Sequence, residues 1–408
     1  MIHYRTTRPK IPDWKRRALL FLTSQCITLF GSTLVQMAVV WYVTLRTSSG
    51  AWVAAFTVCS YLPQFLISFV GGVWADRNSK KLLIIGADAS IAAVTLAMML
   101  ALPCFQPEPA LLSALLAMSV IRSLGAGVQT PAVNAVLPWL VPREHLMRFN
   151  GVNAAMQAAV QFAAPAAAGI LLSAGTLRAA LGVDVLTAAL GIGLLCRVPI
   201  PGHKATPGDA SAFADLKTGI RYSLSEPLIG TLLLLYGLFI FLCVPAGFLA
   251  QLLVSRIYGD AYWYLTAVEL AGFAGMTAGG LLMGTWGGFQ SRATTLRTGI
   301  AAFGILASVM GLSRSFPLYL ALMLLYGVAL TAVQTAVTTL IQEKARAEMQ
   351  GRVFGLLGSM YSGFLPIGMA VFGPMADVIP LRWIMTASGA ALVLIAAGTT
   401  CLPSFRGQ

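Results

Sequence analysis

Apolar runs of roughly membrane length follow one another along the whole chain, separated by short polar stretches. Each is near the ~20 residues that an α-helix needs to cross the hydrocarbon core of a bilayer. The pattern predicts twelve spans, at about 18–42, 51–74, 82–102, 110–130, 150–174, 179–197, 228–254, 261–286, 294–313, 317–341, 352–376 and 381–402. One polar interval is long. Residues 198–227 hold Pro199, Pro201 and Pro207, then a predicted amphipathic helix from Phe213 to Ser225 with Phe213, Leu216, Ile220 and Leu224 on one face. The expected fold is an all-α polytopic membrane protein. It divides into six-helix units over 1–197 and 228–408, joined by a cytoplasmic linker over 198–227.

Composition leaves few alternatives to lipid as the solvent. Apolar residues make up 58% of the 408 positions and charged residues only 10%, against about 25% charged in a soluble domain. The net charge of +13 is not gathered into a patch, so nucleic acid is not an expected partner. Cys26, Cys59, Cys104, Cys196, Cys243 and Cys401 lie mostly inside apolar runs, with no CxxC pair and no zinc-like spacing, so neither a metal nor a cofactor is expected. His3, His145 and His203 fall in separate loops and build no catalytic cluster, which argues against an enzyme. A channel would need a selectivity loop or charge ring, and none is visible. Arg5, Arg8, Lys10, Lys15, Arg16 and Arg17 precede the first run; its length and lack of a small-residue cleavage site predict an uncleaved span.

Basic residues give the orientation. Arg77, Lys80, Lys81, Arg143, Arg148, Arg197, Lys204, Lys217, Arg221, Arg292, Arg297, Lys344, Arg346 and Arg352 fall on one side, and only Arg46, Arg178, Arg256, Arg314 and Arg382 on the other. Positive loops stay inside, so both termini are expected in the cytoplasm. The halves also echo each other: Gly280–Gly284 followed by Arg292 resembles the stretch after Gly71, and Pro165 has a counterpart in Pro366. Both prolines are expected to kink their helices.

Charges inside spans are costly, at least ~2.5–3.5 kcal/mol on insertion scales, so each needs a reason. Glu269 is the leading candidate for proton coupling: a carboxylate desolvated near the midplane is suited to bind and release protons. A structural glutamate is the alternative. Arg122 and Asp88 are further proton-coupling candidates, with a packing ion pair between them as the other reading of Arg122; Asp88 and Asp184 read better as structural residues near the interfaces. Uncharged polar and aromatic side chains outline a candidate substrate cavity. Gln25, Ser32 and Gln36 lie near one face of the first span, and Asn153, Gln157 and Gln161 form an i, i+4, i+8 stripe on the fifth. Phe241, Phe248, Gln251, Tyr326, Gln334 and Tyr361 are expected opposite. Amides and aromatics with few charges suit a bulky amphipathic small molecule, although amides also glue helices together.

Between the second and third spans the chain reads Gly71-Gly72-Val73-Trp74-Ala75-Asp76-Arg77-Asn78-Ser79-Lys80-Lys81. This resembles the signature loop of the major facilitator superfamily, with Gly72, Asp76, Arg77 and Lys81 on the motif's positions and Ser79 where glycine is usual. The resemblance implies a gating role for these four, in which Asp76 pairs with local bases and a neighbouring helix end. Other stretches are similar to a branch that includes macrolide-efflux proteins and the enterobactin exporter: Ile121–Gly127, Leu137–Pro142, Arg148–Gly151, Gly287–Phe289, Gly351–Phe354 and Phe372–Asp377. Pro165 stands in a degenerate form of the superfamily's antiporter motif, with alanines replacing glycines. The branch implies a monomeric carrier of the bacterial inner membrane that exports small molecules by proton antiport and alternating access. A siderophore or metabolite exporter and a lysophospholipid flippase of the same fold remain open.

Overall fold

The computed structural model describes residues 13–105, 108–142, 145–174, 176–200, 212–346 and 348–400. Within them the chain is helical throughout: α1 Trp14–Thr47, α2 Gly50–Arg77, α3 Lys80–Ala101, α4 Glu108–Leu140, α5 Leu146–Ala174, α6 Leu177–Cys196, α7 Ala212–Ser225, α8 Pro227–Gly247, α9 Ala250–Ile257, α10 Tyr262–Trp286, α11 Arg292–Leu312, α12 Phe316–Lys344, α13 Gln350–Val378 and α14 Leu381–Gly398. Twelve segments are long and apolar enough to span a membrane, α8 and α9 together forming the seventh. The start of α1, the α2–α3 turn, the end of α6 and α7 lie at one end of the bundle, the linker end. The turns at 48–49 and 379–380 lie at the other, the far end.

Large apolar side chains such as Ile170, Leu186, Leu234, Leu281 and Leu394 stand exposed on the outer surface, more than half of each accessible. In water that pattern would drive aggregation; in lipid it costs nothing, so the helices must be held together by close packing instead. Small residues provide it. A Cβ on Gly127 of α4 would strike the Gln64 backbone in α2, and one on Gly275 or Gly327 would strike the facing backbone across the α10–α12 contact. The second span thus packs on the fourth just as the eighth packs on the tenth, and the third packs on the sixth as the ninth does on the twelfth. The architecture is two six-helix pseudo-repeat bundles.

Several details differ from the expectation. The signature loop is tighter than its charge pattern predicts: α2 runs on through Arg77, leaving Asn78 and Ser79 between the helices. Pro165 and Pro366 lie within continuous helices, which a kink does not interrupt. The seventh span breaks at Phe248–Leu249, just after Pro245; the N–H groups of both residues converge on the Val244 carbonyl, which ends α8. A proline shifts its strain onto nearby carbonyls, and here the helix stops instead of bending. The amphipathic helix forms as α7 and packs beside α2, α8 and α13. Ile220 and Leu224 point away from the protein, 44% and 79% exposed. Arg346 holds α7 from its other side, its N–H donating to Tyr222 Oη at 3.1 Å.

Candidate functional site: a cavity walled by amides

A cavity of about 310 Å³ opens among α1, α2, α4 and α5. Its wall is rich in amides: Gln25 and Gln36 from α1, Gln64 from α2, Gln129 and Asn134 from α4, and Asn153 and Gln157 from α5. Ser32, Arg122 and Thr130 are among its other polar residues, and Leu29, Val40, Phe56 and Met118 among its apolar ones. Thr130, Asn134 and Gln157, toward the linker end, are exposed. At the far end the halves meet: Gly169 of α5 lies against Thr266 of α10, and Gly50 of α2 against Gly373 of α13.

Behind this wall is a buried polar network. Arg122 donates to both Thr95 Oγ1 and Asp184 Oδ2. Thr95 Oγ1 also donates to Asp184 Oδ2 at 3.1 Å. The guanidinium is 11% exposed and the carboxylate 2%, so the pair is a desolvated one whose parts satisfy each other. The expected partner of Arg122 was Asp88. Asp88 instead accepts from Gln129 Nε2 at 2.5 Å, and its Oδ2 has no hydrogen-bond partner among the described residues. Asp184 lies seven residues into α6, and Gly31 of α1 packs against it and leaves it 1% exposed. Periodicity could have found Gln129, since it lies seven residues after Arg122 on one face of α4. It could not have found Asp184, which is matched to Arg122 only by the docking of α6.

Next to Arg122, Ser123 bridges two backbone groups of α2. Its hydroxyl donates to Ser60 O at 2.7 Å and accepts from Gln64 N at 2.9 Å. A side chain of α4 thereby supports both groups of the rung between residues 60 and 64. Pro63 inside α2 loosens the ladder at this point.

The C-terminal half contributes less to this space than its sequence suggests. Glu269 is partly buried, seven residues beyond the start of α10 and so about 10 Å from its far end, nearer the middle of the helix than that end. Gln251 of α9 donates its Nε2 to Glu269 Oε1. The Gln251 side chain is buried and its Oε1 has no partner among the described residues. Neither residue lines the cavity, and neither do Phe248, Tyr326, Gln334, Tyr361 or, on α5, Gln161. Tyr326 is a correction: it is 3% exposed, its ring centroid 4.2 Å from that of Phe303, because the close α10–α12 crossing turns it into the core. Phe241 packs on Phe372, Phe248 and Tyr361 lean on the same core, and Gln334 and Gln161 are exposed outside the cavity. The side chains of Asp76 and Arg77 lie outside the described residues, while Gly72 is partly exposed with open space beside it. Lys81 caps the end of α6, its Nζ donating to Cys196 O at 2.8 Å and Val198 O at 2.9 Å. A cation there complements the carbonyl end of a helix.

The chain is similar to known proteins in sequence and in fold. The chain is 29% identical over 391 residues to macrolide efflux protein A of Streptococcus pyogenes, covering 95% of this chain and 96% of that one. It is 30% identical over 323 residues to macrolide efflux protein A of Enterococcus faecalis, covering 78% and 99%. The multidrug efflux pump Tap of Mycobacterium tuberculosis is 22% identical over 406 residues, covering 95% and 94%. Among solved structures, the nucleoside transporter NupG superposes with a TM-score of 0.75 at 13% identity, covering 95% and 99%. A bacterial homologue of the iron transporter ferroportin gives 0.69 at 16%, covering 94% and 98%. The sequence itself matches the Major Facilitator Superfamily over residues 21–369. Twelve spans in two repeated bundles, a cavity between helices and that match together make the chain a multi-pass membrane transporter, not an enzyme, and a member of the Major Facilitator Superfamily.

Proposed function

We propose that this carrier exports a bulky amphipathic small molecule, of the macrolide or multidrug type, in exchange for protons moving inward. The observation that carries the reading is the cavity wall: seven amides, several apolar side chains and one guanidinium already neutralised by Asp184. Such a wall offers hydrogen bonds in many directions without selecting strongly for charge, and its apolar part rewards a large hydrocarbon surface. The names of the most similar relatives support export as the direction. The basic-residue bias supports a cytoplasmic linker end with both termini inside, so the cavity faces the cytoplasm in this conformation.

Alternating access by the two bundles supplies the cycle. Substrate enters from the linker end against Gln25, Ser32, Gln36, Asn153 and Gln157. Glu269 is the proton carrier; it borders the far-end contact between the bundles, where a proton arriving from outside would reach it first. Arg122 and Asp88 adjust the N-terminal half to the occupied cavity through Gln129. Asp76, Arg77 and Lys81, with Gly72, close the cytoplasmic side in the opposite state. The test is transport by the purified chain in liposomes with an imposed proton gradient, using macrolides, other lipophilic drugs and catechol siderophores. Gradient-driven macrolide flux that is lost in Glu269→Gln is expected. Flux indifferent to both the gradient and the substitution would sink the proton mechanism.

A further inference from the structure

At the far end, one carboxylate and one guanidinium tie the halves together. Asp377, in the last turn of α13, accepts from Ser49 Oγ at 2.8 Å and from the backbone N–H groups of Gly50 at 2.6 Å and Ala51 at 2.9 Å. These are free donors at the start of α2, so a residue of the C-terminal half caps a helix of the N-terminal half. Arg256, in the last turn of α9, donates to Asp377 Oδ1 at 2.8 Å and to Ala376 O at 2.6 Å. It also donates to Ser48 O, the residue that ends α1, its Nε lying 3.1 Å away. The carboxylate thus sits at a helix N-terminus and the guanidinium at a helix C-terminus, the signs that the helix dipoles favour.

Three further observations connect this cluster to movement. A Cβ on Gly50 would strike Gly373 O, and one on Gly373 would strike Gly50 O and Ala54, so α2 and α13 touch backbone to backbone beneath the cluster. The cluster is held by side chains instead of a greasy plug: Arg256 and Asp377 are 28% and 29% exposed, within reach of water that can replace their bonds. And α9 is a separate two-turn rod beyond the Phe248–Leu249 break, carrying both Arg256 and the Gln251 that holds Glu269. A small rotation of α9 therefore acts on both ends of that connection.

We propose that Asp377 and Arg256 are the latch that seals the far end of the cavity, and that the latch breaks and re-forms in each transport cycle. The proposal rests on the carrier reading above, in which the far end faces outward. Removing the latch shifts the population toward the outward-open state, because its bonds exist only when the far end is closed.

The test reads access, with neither drug nor gradient, so it stands apart from the proton mechanism. Val40→Cys places a thiol on the cavity wall of the full-length chain, with the six native cysteines replaced by serine. A membrane-impermeant maleimide is then applied separately to the outer and inner faces. Asp377→Asn and Arg256→Gln are expected to raise outer-face labelling several-fold and to lower inner-face labelling, while Asp377→Glu stays near the latched parent. A purely structural role would lower thermal stability and leave the ratio of outer to inner labelling unchanged, and that result overturns the latch. A rise confined to the inner face overturns the proposal through the orientation on which it rests. Should either variant fail to reach the membrane, Ser49→Cys and Asp377→Cys joined by a short thiol cross-linker are the second measurement. Export lost on cross-linking and restored on cleaving the linker supports the latch; full export by the cross-linked chain overturns it.

Discussion

Ser123 carries more of this structure than its size suggests. One hydroxyl supports a rung of α2 that Pro63 loosens, and the same residue neighbours the guanidinium at the cavity wall. Ser123→Ala removes a partner of a part-buried N–H and a part-buried carbonyl, at about 1 kcal/mol or more. Thermal unfolding in detergent is expected to show a lower midpoint, with Ser123→Thr recovering most of it. Arg122 and Asp184 pose a sharper case. Either Arg122→Met or Asp184→Leu alone strands the other charge in a dry interior and is expected to cost about 3–5 kcal/mol, whereas the double substitution removes both charges and recovers much of the loss. A double-mutant cycle on the unfolding midpoint measures this coupling. Simple additivity of the two single losses would show that the pair is not mutually dependent.

Among the elements, α9 is the one that no hydrophobic pattern announces. It continues an apolar run, so its separation from α8 comes from Pro245 and the convergence of two N–H groups on Val244. Two of its polar side chains, Gln251 and Arg256, face different partners, Glu269 and the α1–α2 turn. Gln251→Leu removes its grip on Glu269 without touching the far-end latch. We expect slowed export in liposomes with the drug-binding affinity preserved; affinity falling in parallel with rate would instead make Gln251 part of the binding wall. The glycine crossings behave as a group. In Gly327→Leu the new side chain meets the α10 backbone at Gly272 and Gly275, and overpacking of this kind costs about 1–3 kcal/mol or more. A lowered yield of folded protein and a lower unfolding midpoint are expected, while the same change at Gly280, which has open space beside it, leaves both unchanged.

At the scale of the whole molecule, a cavity belonging mostly to one half and a carboxylate belonging to the other call for the halves to communicate. The contacts available for that are at the far end, through α2–α13, α5–α10 and α1–α9. Bacteria that express the chain should tolerate higher macrolide concentrations than those carrying an empty vector. Replacing Gln36 and Gln157 together by leucine is expected to reduce that tolerance several-fold for some drugs more than for others. Equal loss for every drug would point to a general defect, not to a wall that reads the substrate.

What the sequence determined by itself is what the solvent imposes. Some twenty apolar residues between charged turns can do little but cross lipid, so the number of spans and the helix α7 were legible in it. Periodicity also brought Gln25, Ser32, Gln36, Asn153 and Gln157 to one space, because residues on one stripe of a helix share whatever that stripe faces. It does not bring Gln161, on the same stripe, to the cavity wall, since a stripe does not say whether all of it meets a cavity, a neighbouring helix or lipid. Only the tertiary structure decided which helices face each other. That choice pairs Arg122 with Asp184 instead of Asp88, lends Ser123 to α2, and brings Asp377 across 326 residues of chain to the start of α2. In lipid no hydrophobic gradient selects partners, and close packing with matched polar groups does; both depend on three-dimensional complementarity that a one-dimensional pattern does not carry.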